Sequence, residues 1–132
     1  MRKRSAALAT IACALTAAVA FGAGSPAYAS IDATVVVQRV GSTGDAGSMT
    51  HEDVGDIFTV WDRVADGHGV RGSLIDGSGT TLKSIYNGNG NGTNVKFAYD
   101  IKPGNAYYMK VCLVDGASDT TPIKCAMRYV YE

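Results

Sequence analysis

Three observations predict an all-β protein. Helical periodicity is nearly absent from residues 30–132, short β-branched and aromatic runs recur there, and Gly, Asn, Asp or Pro separate the runs. Seven runs occur, most starting 10 to 16 residues after the one before, which is the cadence of a small antiparallel sandwich or barrel.

The first strand is expected over 33–40, where Val35, Val36 and Val37 stand together. A 16-residue connection over 41–56 comes next, longer than most in a compact domain. Thr50 and Asp53 have capping-box spacing there and allow a short helical turn, which Gly55 would stop. The second strand, 57–64, carries Phe58, Val60 and Trp61, and the third spans 70–76. Asp76-Gly77-Ser78-Gly79 turns the chain into a fourth strand over 80–87. The alternating Asn and Gly of 87–92 tolerate left-handed backbone and lead into a fifth strand over 93–100. Pro103-Gly104 suits the two central positions of a type II turn before a sixth strand, 106–114. The seventh spans 123–131.

Residues 1–29 are set apart from this domain. Arg2, Lys3 and Arg4 precede an alanine-rich apolar run, and Ala27-Tyr28-Ala29 places small residues where a signal peptidase cuts, between Ala29 and Ser30. The expected product is one secreted domain over 30–132, from a leader resembling those of high-GC Gram-positive bacteria. It keeps nine Lys and Arg against twelve Asp and Glu, so nucleic acid loses its electrostatic attraction. No later apolar run approaches the roughly 18 residues of a membrane span. Removing the leader also removes Cys13 and leaves Cys112 and Cys125 in an oxidising compartment. We expect them to form a disulfide, which should stabilise the fold by roughly 3 kcal/mol.

The segment Ile101-Lys102-Pro103-Gly104-Asn105-Ala106-Tyr107-Tyr108-Met109-Lys110-Val111-Cys112-Leu113 resembles the sixth-strand entry of fibronectin type III domains. Upstream, Phe58-Thr59-Val60-Trp61-Asp62 and Ala65-Asp66-Gly67-His68-Gly69-Val70 resemble their second strand, tryptophan and following loop. The resemblance spans about 57–115 and implies a seven-stranded antiparallel immunoglobulin-like sandwich. Trp61, Pro103, Gly104 and Tyr107 would be structural, with Tyr107 as the corner tyrosine whose hydroxyl bonds nearby backbone.

The two-residue period puts Tyr107, Met109, Val111 and Leu113 on the core face. Cys112 then faces outward with Tyr108, and a bridge to a neighbouring strand turns Cys125 outward as well. Strict alternation would expose Met127, Tyr129 and Tyr131 and turn Arg128 inward, where an unpaired charge is costly. That cost favours a bulge between Cys125 and Tyr129, which returns the tyrosines to the core. Without a bulge, Tyr108, Tyr129, Tyr131 and the disulfide share one exposed surface suited to a partner.

No catalytic set is expected. His51 and His68 are the only histidines, no His pair at i, i+4 exists, and Ser73, Ser78 and Ser84 lie in no nucleophile elbow. The scattered aspartates read as turn formers, and neither a metal nor a cofactor is implied. Strand parity gathers 64–69, 87–92 and 115–122 at one end, with His68 as a candidate binding residue, and 41–56, 76–79 and 101–105 at the other. The expected function is a monomeric, non-catalytic module that binds an extracellular protein or glycan. A second reading is an inhibitor of a secreted hydrolase; Met127-Arg128-Tyr129 approaches the Trp-Arg-Tyr turn of the small amylase inhibitors of soil bacteria. A third is a small secreted toxin or enzyme.

Overall fold

Alternate apolar side chains enter the core from nearly every strand: Val35 and Val37, Phe58 and Val60, Val70 and Leu74, and Met109, Val111 and Leu113 are all buried. The computed structural model describes residues 32–132, so the leader expected over 1–29 and its Ala29–Ser30 site lie outside the described residues. Eight strands and no helix are found among these residues: β1 Ala33–Gln38, β2 Asp45–Glu52, β3 Ile57–Asp62, β4 Gly69–Asp76, β5 Thr81–Asn87, β6 Asn94–Ala98, β7 Tyr107–Val114 and β8 Lys124–Val130. They form two four-stranded antiparallel sheets, ordered β1-β2-β3-β6 and β5-β4-β7-β8, whose inner faces share one core in a sandwich-like arrangement.

The eighth strand is β2, within the long connection where the sequence suggested only a helical turn. Thr50 is the one β-branched residue of Asp45-Ala46-Gly47-Ser48-Met49-Thr50-His51-Glu52, yet the strand pairs with both β1 and β3. A tight turn joins it to β3, closed by the Asp56 N–H donating to the Asp53 carbonyl at 3.3 Å, with Gly55 and Asp56 at positive φ. His51 is fully buried, with Nε2 3.1 Å from Asp56 Oδ1 and its ring stacked 4.5 Å from Phe58, which stacks in turn on Phe97. Small residues explain why so polar a segment sits centrally. A Cβ on Gly47 would lie 2.6 Å from a Val70 methyl, and one on Gly72 of β4 would lie 2.2 Å from a Val60 methyl. Each sheet thus rests valine methyls on glycine backbone of the other.

The expected bulge in the last strand is absent. Pairing of β7 with β8 runs without a shift from Tyr107↔Val130 to Leu113↔Lys124. Arg128 escapes the burial that argued for the bulge, because β8 is an edge strand beside β1 and the guanidinium stays exposed. Its Nη1 donates to the Thr34 carbonyl at 2.9 Å, and Lys124 Nζ reaches the Arg39 carbonyl at 3.3 Å. At the opposite seam Lys83 of β5 donates to the carbonyl of Ala98, the last residue of β6, at 3.4 Å.

Gly72→Ala is expected to cost about 1–3 kcal/mol by overpacking. Val60→Ala removes the opposing methyl, so the double variant should lose less than the sum of the two singles in urea denaturation. Strict additivity would show that the sheets do not meet there.

Candidate functional site

The disulfide organises the outer face of the second sheet. Cys112 and Cys125 stand directly opposite in the β7–β8 ladder and are bonded to each other. With that parity, Tyr108, Met127 and Tyr129 face outward with Cys125, and Tyr131 extends the row beyond β8. All four are exposed, at 36%, 54%, 46% and 51%. Tyr108 meets Tyr129 edge-on at 5.5 Å, and Tyr129 lies 5.5 Å from Tyr131 with their planes inclined by 31°. The structure therefore brings together the three candidate tyrosines on one surface.

A trough of about 400 Å3 crosses the same face, lined by Arg71, Ser73, Ser84, Lys110 and the 117–120 segment. Its wall is the β7–β8 connection, folded back over the sheet and held by Arg71 of β4. The Arg71 guanidinium donates to the carbonyls of Asp119 (2.6 Å), Ala117 (2.6 Å) and Gly116 (3.2 Å). Asp119 fixes the loop from within, accepting from the backbone N–H groups of Asp115 and Thr121 and from the Thr121 hydroxyl. Those bonds, the Asp115 N–H first, hold its carboxyl below the usual range. No local pattern marks Arg71, because its three acceptors are carbonyls 45 to 48 residues away.

His68 lies elsewhere, at the end formed by the 63–68, 88–93 and 115–123 connections. Its Nδ1 is 2.7 Å from Asp115 Oδ1, at an exposed position. The long 41–56 segment does not belong wholly to the opposite end as parity suggested, since β2 divides it into one turn at each. Among the described residues no serine joins a histidine: Ser73 and Ser84 pair with each other at 2.9 Å, and Ser78 bonds Asp76 and Thr80. Among the described residues no group of three His, Cys, Asp or Glu side chains is placed to hold a metal. Asp62, expected with the other aspartates to be a solvated turn former, is instead buried; burial raises its pKa, against the Val64 N–H that lowers it.

The structural candidates occupy distinct places. Pro103 and Gly104 are the central residues of a turn closed by the Asn105 N–H on the Lys102 carbonyl at 3.2 Å, with Gly104 at φ 79°. The buried Tyr107 accepts from the Lys102 N–H at 3.2 Å and from Asn105 Nδ2 at 3.4 Å, tying that turn to β7. Trp61 is half-buried and outside the core cluster, with the Arg63 guanidinium 5.4 Å over its ring.

No family model and no curated protein matches the chain. Among solved structures it is similar to the endonuclease/exonuclease/phosphatase from Beutenbergia cavernae DSM 12333, at 23% identity and a TM-score of 0.51 over 76% of this chain. The chain spans 27% of that protein's length, and the likeness concerns fold alone.

The two aspartates should titrate with opposite signs. The lowered pKa of Asp119 means that its ionised form favours the folded state. This contribution is complete above the ordinary carboxylate pKa and is lost as pH falls through the lowered value. Asp119→Asn should therefore destabilise at pH 7, with the deficit shrinking below about pH 4. Raised in the fold, the Asp62 carboxyl favours folding when protonated, and that advantage is lost as pH rises through its folded pKa. Asp62→Asn should gain stability at pH 7 relative to acid, as measured by urea midpoints across pH.

Proposed function

We propose that the chain is a secreted, non-catalytic binding module of the fibronectin type III-like, immunoglobulin-like sandwich type, cleaved between Ala29 and Ser30 and acting as a monomer on an extracellular protein. The disulfide supports an oxidising destination. The corner-like bonds of Tyr107 and the 102–105 turn support the sandwich type. Resemblance to about a quarter of a larger protein fits a module that also occurs joined to other parts.

The observation that carries the binding reading is the exposed row of Tyr108, Met127, Tyr129 and Tyr131 beside a trough with an anchored wall. Tyrosines supply large contact area at low rotamer cost, and clusters of them mark binding surfaces. The rings favour protein over glycan, because planes inclined by 69° and 31° do not make the flat platform on which successive sugar rings stack. The inhibitor reading is a special case in which the partner is a hydrolase; Arg128, the middle residue of Met127-Arg128-Tyr129, points to β1 rather than to that face.

The test is capture of culture-supernatant proteins on the immobilised domain, followed by affinity measurement with the captured species. Tyr129→Ser and Tyr131→Ser should each weaken binding by about 2 kcal/mol while leaving the urea midpoint nearly unchanged. Capture that survives protease treatment and is displaced by free sugars would replace the protein partner with a glycan. Loss of the partner's hydrolytic activity on capture would select the inhibitor reading.

A further inference from the structure

A second site lies away from the tyrosine row, where the 63–68 and 88–93 connections leave a pocket of about 240 Å3 lined by Asp62, His68, Tyr86, Asn91 and several glycines. Asp62 ends β3 and is only 1% exposed. One carboxylate oxygen accepts the Val64 N–H at 3.2 Å; no donor to the other is found among the described residues, and Asp62 lines the pocket. Tyr86 supplies an aromatic wall. A Cβ on Gly69 would lie 2.4 Å from its ring and one on Gly88 2.5 Å, so both positions must be glycine for the ring to lie where it does.

We propose that this pocket binds a primary ammonium group, which donates to the free Asp62 oxygen and packs its alkyl stem on Tyr86. A carboxylate held out of water needs a compensating charge, and neither Lys nor Arg lines the pocket to provide one. Asp66 lies close enough to add its own negative potential at Asp62, so the site repels anions. An ammonium group supplies three donors and a positive charge of a size that a single carboxylate and an aromatic wall accommodate. A divalent cation is a poorer match, because the described residues offer no cluster of three acidic or imidazole ligands. The ammonium could come from a lysine side chain or from an amino sugar.

The test uses n-butylammonium as the probe and n-butanol as its neutral control, followed by amide NMR shifts of the purified protein at pH 7. The expected result is saturable binding of the amine alone, with shifts centred on Val64, Gly67, Gly69, Gly88 and Gly90. Asp62→Asn, which can still accept from Val64, should weaken binding at least about tenfold without loss of stability. Equal response to butanol, no saturation, or affinity within about twofold in Asp62→Asn would overturn the proposal. Two further ligands, Nα-acetyl-lysine methylamide and D-glucosamine, identify the source by which binds more tightly. Binding of D-glucose as tight as that of D-glucosamine would overturn the ammonium requirement. The butylammonium-to-butanol comparison needs no variant, so the result does not depend on whether a substituted chain folds.

Discussion

Cys112 and Cys125 occupy opposite positions in the last ladder, and their bond locks the register of β8 on β7. A slip of one residue would reverse every side chain of β8, sending Tyr129 inward and Ala126 and Val130 into solvent. The bond forbids the slip. It thereby determines both that the tyrosine row is exposed and that Lys124 and Arg128 point across to β1. The exposed tyrosine row and sheet closure thus depend on one covalent constraint.

The seams show how the open edges of two sheets are managed. Edge strands carry unpaired carbonyls that invite further strands. Here cationic side chains from the edges of the second sheet cover carbonyls along the edges of the first: Arg128 on β1, Lys124 just past its end at Arg39, and Lys83 on the last residue of β6. Each places a polar head at the rim while its stem lies along the seam. The arrangement makes an inward-facing arginine acceptable in β8, since the inner face of an edge strand is not the interior.

That distinction explains what was legible in the sequence and what was not. The strands rich in Val, Ile, Phe and Tyr were legible from alternation, and the turn at Pro103-Gly104 was legible from backbone chemistry. The disulfide could be read from there being just two cysteines after residue 29. β2 was hidden because Gly47 and Ser48 give no strand signal on their own; Gly47 is suited by the close approach of Val70 across the core, and Ser48 by the Arg63 Nε that donates to its hydroxyl. The bulge was misjudged because burial of Arg128 was inferred from parity alone, without knowing that β8 would be an edge. Tyr86 and Arg71 gave no signal, and Asp62 read as one more turn aspartate, for a related reason: each acquires its meaning from groups on another segment, and no local pattern records those meetings.

The Arg71 anchor has a thermodynamic consequence for the neighbouring surface. Three carbonyls of the β7–β8 connection are fixed by a side chain rooted in a central strand, so the wall of the trough is ordered during folding. A ligand meeting that wall does not have to freeze a loop, a cost that otherwise subtracts from affinity. The conformational entropy of the hairpin tip is lost once, when the chain folds, and each later encounter finds the surface already shaped.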